Sequence, residues 1–302
     1  MVLEGKSGPR SPPVAVACAP RSMRRPPPPR APRSLRRDRR CTPPRGVPGS
    51  LAVAVAATLV ALPAPRARAE TFSFTNVEVL QGFALRDRYL GQATADGLMT
   101  TLTFEHFGTW EYGDNYLFVD FYRGDFVDAA GAPRDLPARI YGEWHPRLWI
   151  NRIVGHQGTL LGVFRNIGVT GEVNQSGDGF WAYLGGAALD FALPPGMALG
   201  LSLYYRADRF TAHGAQASLS WFVPFTLGPV PCLTQGFVDV YTPQDTTGTY
   251  SAALFAQPQL LADPLGPWGG PSRRVYLGVE WYVSLNPLQR MHAPQVMGMW
   301  VF

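Results

Sequence analysis

Apolar and polar residues alternate with a period of two along most of the chain. In RRVYLGVEWYVSLN, residues 273 to 286, Val275, Leu277, Val279, Trp281, Val283 and Leu285 fall on one set of alternate positions, and Arg274, Tyr276, Gly278, Glu280, Tyr282, Ser284 and Asn286 on the other. Successive side chains of a strand point to opposite faces, so the segment predicts a strand with one oily and one wet side. MALGLSLYYR (197 to 206), QASLSWFV (216 to 223) and RIYGEWHPRLWIN (139 to 151) repeat the pattern. Breakers such as NQSGDG, LPPG, LGPVP and DPLGPWGGPS separate such runs. Twelve runs are expected, beginning near Phe72, Leu98, Asn115, Arg139, Thr159, Phe180, Met197, Gly214, Leu233, Thr249, Arg273 and Gln295. No long helical periodicity competes with them.

Alternation also occurs in soluble β-sandwiches, whose outer face meets bulk water and carries lysines and glutamates. Here the polar face is built of Tyr, Ser, Gly, Gln, Asn and isolated charges. The apolar face carries Trp144, Trp181, Trp221, Trp281 and Trp300, expected near strand ends as in the aromatic girdles of outer-membrane barrels. QVMGMWVF ends on Phe302, and a C-terminal aromatic closing the last strand is typical of such barrels and of recognition by their assembly machinery. The expected fold is all-β: a transmembrane antiparallel barrel of about twelve strands, closed because lipid leaves no backbone group without a partner inside the sheet.

Charge refines this picture. The formal net charge of +5 arises from residues 1 to 69, which hold Lys6 and thirteen arginines against Glu4 and Asp38. From Glu70 onward there are 13 basic and 20 acidic residues and no lysine, so the body carries about −7. Residues 1 to 46 read as a disordered Arg/Pro-rich leader that buries too little apolar surface to order itself. Residues 47 to 69 read as a signal peptide, with an apolar run from Leu51 to Leu62 and cleavage after Ala67-Arg68-Ala69. The leader exceeds what export requires, which points to a translation start placed upstream of the true one. Residues 70 to 302 form the barrel, and no nucleic-acid partner is expected for it. Cys18 and Cys41 leave with the leader, so Cys232 has no disulfide partner and reads as a buried thiol.

On the wet face, aromatic rings interleave with carboxylates, amides and arginines. The lumen-facing candidates for solute contact are Phe118, Asp120 and Tyr122; Tyr141, Glu143, His145 and Arg147; Tyr204 and Arg206; Phe237, Asp239 and Tyr241; Phe255, Gln257 and Gln259; and Tyr276, Glu280 and Tyr282. A flat base stacks on rings, and a ribose asks for paired donors and acceptors. The plainer role for such charges is mutual pairing, which would join Glu143 with Arg147 or Asp239 with Arg206 and stiffen the wall.

NYLFVDFYRGDF (115 to 126), YGEWHPRLWINRIVG (141 to 155), LGGAALDFALPPGMALGLSLYYR (184 to 206), LSWFVPF (219 to 225) and GFVDVYT (236 to 242) resemble, in that order, segments of the nucleoside-specific channel-forming outer-membrane porins, the Tsx/OmpK-like family; TNVEVLQG (75 to 82) resembles the first strand of its OmpK-like branch. The resemblance covers about residue 72 to Phe302. It implies a narrow, monomeric, twelve-stranded barrel in the outer membrane, in contact with lipid and lipopolysaccharide, that passes nucleosides by diffusion and serves phage or bacteriocins as a receptor. The chain departs from the family at His145, where members commonly carry a second carboxylate.

A receptor or adhesion barrel with a plugged lumen is the alternative, and a lipid hydrolase a more distant one. No G-x-S-x-G elbow occurs, and His106, His145, His156, His213 and His292 show neither nucleophile pairing nor metal-ligand spacing along the sequence. The chain is therefore expected to be no enzyme and to hold neither cofactor nor metal.

Overall fold

A computed structural model describes residues 72–302 apart from 89, 129, 136–137, 157, 245–247 and 269–272. The leader, the signal peptide with its cleavage point, Cys18 and Cys41 lie outside the described residues.

The alternating runs become β1 (Phe72–Gly82), β2 (Met99–Trp110), β3 (Gly113–Arg123), β4 (Ala138–Trp149), β5 (Phe164–Ser176), β6 (Trp181–Phe191), β7 (Ala198–Asp208), β8 (Gly214–Leu227), β9 (Val230–Tyr241), β10 (Ala253–Ala256 continued by Gln259–Ala262), β11 (Val275–Asn286) and β12 (Gln289–Val301). Each is antiparallel to the next. β1 then pairs with β12, from Asn76 opposite Val301 to Gly82 opposite Gln295. The ring is closed, so these strands form a twelve-stranded barrel without a free edge.

The two faces separate as the pattern predicts. In β11, Leu277, Val279 and Trp281 are about half exposed on the outside, while Tyr276, Glu280, Tyr282 and Ser284 are buried inside. Ile140, Trp144 and Leu148 of β4, and Leu203 and Tyr205 of β7, likewise point outward. An outer wall of Val, Leu, Ile, Phe and Trp is the surface a bilayer requires. The tryptophans depart from the expected girdle. Trp181 and Trp300 sit at strand ends, whereas Trp144, Trp221 and Trp281 lie well inside their strands.

Three strand starts also shift. β5 begins at Phe164 rather than Thr159, because the chain after β4 first makes a short helix, α1 (Ile150–Ile153), and a turn with Leu161 at φ +53°. β10 begins at Ala253 rather than Thr249 and is interrupted at Gln257-Pro258, where Pro258 has no N–H for the ladder. Its two halves keep one register, Phe255 opposite Asp239 and Gln259 opposite Gln235. Gly236 lies beside the interruption at φ +142°, and a Cβ there would stand 2.4 Å from the Gln257 carbonyl oxygen, a contact glycine alone permits. β12 begins at Gln289 rather than Gln295 and carries Pro294 inside the strand. The Pro294 carbonyl accepts the Phe83 N–H at 3.3 Å, just where β1 has ended, so the absent proline N–H breaks no bond of the β1 ladder.

Side chains fill much of the interior. Near the end that holds Phe72 and Val301, an apolar cluster joins Leu80, Leu233, Leu261, Tyr276, Met297, Met299 and Val301, with Phe74 and Phe222 against it. At the opposite end the connection between β1 and β2 turns inward through two short paired strands, Arg86–Asp87 and Gln92–Ala93. Its Leu85 has no exposed surface and packs with Met99, Tyr122, Phe126, Tyr282, Met291 and Ala293. A polar belt lies between these two apolar layers.

Candidate functional site

The belt is built from alternate residues of neighbouring strands, and most of its groups bond to one another. On one wall, Glu280 of β11 accepts hydrogen bonds from Gln257 (2.8 Å), Gln259 (2.9 Å) and Gln295 (2.6 Å). Gln259 also donates to Glu78 of β1 at 3.2 Å and accepts from Gln235 at 2.7 Å. Four glutamines thus knit two buried carboxylates across β9, β10, β11, β12 and β1. On the next wall Thr103 and Tyr122 each donate to Asp120 at 2.6 Å, and Asn76 donates to Glu105 at 3.2 Å.

The β4–β5 wall holds the third group. Glu143 stands opposite Asn174 and Arg147 opposite Thr170, a register that brings His145 level with Glu172. Tyr141 donates to Glu143 Oε1, Asn174 donates to Glu172 Oε1 at 2.9 Å, and His145 lies between the two carboxylates. Asp239 of β9, opposite Ser218 in the β8–β9 ladder, shares the electrostatic neighbourhood of Glu143, Glu172 and His145.

The arginines are engaged elsewhere. Arg147 bonds Asp114 at 2.6 Å and lies over the Trp149 ring, 5.2 Å from its centroid, instead of meeting Glu143. Residues four apart on a strand are separated by about 13 Å, whereas Asp114 is the direct partner of Arg147 across the β3–β4 ladder. Arg206 binds Asp208 (2.8 Å) and Gln216 (2.6 Å) and covers Tyr241, rather than pairing with Asp239. Above the wall, in the β5–β6 turn, Asp178 takes Arg139 at 2.5 Å; burial alone would raise its pKa, but the Ser176 hydroxyl and Arg139 hold it below the usual carboxylate value. The belt therefore holds seven carboxylates, Glu78, Glu105, Asp120, Glu143, Glu172, Asp239 and Glu280, with the imidazole of His145 among them.

Aromatic rings run beside these carboxylates on two walls. Tyr116 and Phe118 (5.9 Å between centroids), Phe118 and Tyr141 (6.0 Å), and Tyr141 and Phe180 (6.5 Å) line β3, β4 and the start of β6. Phe237, Phe255 and Tyr282 form the second series, at 5.5 and 5.1 Å, on β9 to β11. Strands β3 and β9 are six places apart in a ring of twelve, so the two series stand across the lumen from each other.

The expected residues are thus divided among several environments. Phe118, Tyr141, Phe237 and Phe255 belong to the aromatic walls; Asp120, Glu143, His145, Asp239, Gln257 and Glu280 to the polar belt. Tyr204 meets the Thr170 hydroxyl at 3.2 Å, and Tyr276 sits in the apolar cluster near Phe72. Tyr122 and Tyr282 support the inward connection, where Tyr282 donates to Asp87 at 3.0 Å. Glu78, Glu105, Tyr116, Glu172, Gln235 and Gln295 were missed. Strict alternation extended through NVEVLQG and VTGEVNQ places Glu78 and Glu172 inward.

No protein-family model matches the chain, and no curated protein is similar to it in sequence. Among solved structures it is similar in outline to a KdgM porin in complex with disordered oligogalacturonate, at 10% identity over 76% of this chain and 99% of that one, TM-score 0.41. It is similar also to a bacterial polysaccharide outer membrane secretin, at 10% identity over 78% of this chain and 99% of that one, TM-score 0.36.

Proposed function

We propose that the chain is an outer-membrane channel for diffusion of nucleosides or similar small solutes that are neutral or cationic. The observation that supports this most is the pair of aromatic walls facing each other across a belt rich in carboxylates and amides. A base would lie against successive rings, while carboxylates and glutamine amides take ribose hydroxyls. Several weak stacking places favour passage over retention, because a conducting site must also release. The carboxylates would disfavour anions, so phosphorylated relatives of the same solutes would be poor cargo. The channel works as a monomer and performs no reaction on what it carries.

The buried Leu85 supports a second reading, a receptor barrel whose lumen stays shut. Liposome swelling with the purified mature chain distinguishes the two. Adenosine should enter faster than a sugar of similar size; vesicles that admit neither would favour the receptor. Lipid hydrolysis by the same sample, lost when His145 is substituted, would overturn both.

A further inference from the structure

His145 Nε2 lies 2.7 Å from Glu143 Oε2, and His145 Nδ1 lies 3.3 Å from Glu172 Oε2. The shorter contact is a hydrogen bond and fixes the ring; with the Nε2 proton given to Glu143, Nδ1 presents a lone pair to a carboxylate oxygen. A lone pair and a carboxylate oxygen that close repel unless positive charge, a second ring proton or a metal ion, is shared between them. A second ring proton would make this contact an ion pair, yet Glu172 Oε2 stays buried with no hydrogen bond, off the axis along which Nδ1 would donate. Glu172 is only 2% exposed, and Asn174 holds its other oxygen, so the oxygen without a hydrogen bond is the one beside the imidazole.

From this the geometry points to a divalent metal site in the lumen wall, of the zinc class, with His145 Nδ1 and Glu172 Oε2 as ligands and Glu143 as the carboxylate that orients the imidazole. Ligand bonds of about 2.0–2.1 Å in tetrahedral geometry place neighbouring donor atoms about 3.3 Å apart, which is the observed separation of Nδ1 and Oε2. A metal-bound histidine ordinarily gives its other N–H to a carboxylate, as His145 does to Glu143. One donor atom from each of the three residues falls within a span of 4.8 Å. Imidazole with carboxylate suits Zn²⁺, whereas Ca²⁺ and Mg²⁺ ask for an all-oxygen shell. Water or a passing solute completes the coordination, which keeps the ion exchangeable. The site stands on these three side chains and not on the identity of the cargo.

The test is direct binding to the mature chain, without a histidine tag and folded in detergent. Zn²⁺ is titrated by calorimetry and Co²⁺ by its visible absorption bands. The wild-type chain should take one ion per molecule. His145→Ala and the isosteric Glu172→Gln should abolish that saturable step, while Glu143→Gln and Asn174→Ala, which alter only the supporting contacts, should weaken it about 10–100-fold. A wild-type barrel that shows no saturable step, or a step that both His145→Ala and Glu172→Gln leave unchanged, would overturn the proposal. Because wild-type stoichiometry is itself decisive, a variant that fails to fold does not rescue the idea. Solute permeation is read in separate vesicles, so failure of the channel reading and failure of the metal site are distinguishable.

Discussion

Replacing residues 86 to 93 by a short Gly/Ser link should raise single-channel conductance several-fold over that of the full chain. The segment contributes the two short strands inside the mouth, and Asp87 ties it to β11 through the Tyr282 hydroxyl at 3.0 Å. Leu85 completes the contact by packing among Met99, Tyr122, Phe126 and Met291. Removing the segment leaves the β1–β2 ladder intact from Gly82 opposite Met99 to Phe72 opposite Thr109, so the barrel keeps its staves while its mouth loses a plug. Leu85→Asp should act in the same direction with a smaller effect, since a charge inserted among apolar side chains favours the withdrawn position of the segment. Conductance unchanged by the replacement would show that the constriction lies in the belt rather than at the mouth.

Neutralising the belt should change which ions pass. Seven carboxylates surround a lumen whose arginines are held by Asp114 and Asp208, so the wild-type current should be carried by cations, with a reversal potential in a KCl gradient displaced towards the potassium value. Combining Glu78→Gln, Glu172→Gln and Glu280→Gln removes three of the seven and should move that potential measurably towards zero. Each change keeps the shape of the side chain, and the surrounding glutamines and Asn174 can turn their amides to restore hydrogen bonds. A reversal potential that the triple variant leaves unmoved would assign selectivity to the loop ends instead. Arg147→Leu provides a contrast. It removes the charge that Asp114 pairs with and leaves it only the Trp149 indole N–H at 3.1 Å; breaking a buried pair costs about 3–5 kcal/mol, and barrel stability should fall, read as the temperature of the heat-induced electrophoretic shift.

The fold was legible because a bilayer barrel imposes one rule on every strand. Oil outside and water inside make period two run from β1 to β12, and Val275 to Asn286 display it without a fault. Strand limits were less legible where proline was involved. Pro258 breaks β10 and Pro294 does not break β12, a difference set by which neighbours need the N–H. The interior was legible by parity, residue after residue, but its partners were not. Glu143 and Arg147 look paired along β4, yet Arg147 finds Asp114 across the ladder. His145 shows no metal spacing in the sequence because its counterpart, Glu172, lies 27 positions away and arrives only through the β4–β5 register. The inward pair of short strands, Arg86–Asp87 and Gln92–Ala93, had no periodic signal at all.

Single-channel recording in a planar bilayer tests most directly the claim that this lumen conducts and receives a flat, polar solute. Purified mature chain should give small, cation-selective steps that adenosine or thymidine reduces in a saturable way, while a sugar of similar size leaves them unchanged. Phe255→Ala should weaken the block by the ~1–3 kcal/mol that stacking of one base contributes. A chain that inserts without conducting, or a current that nucleosides and sugars reduce alike, would contradict the account.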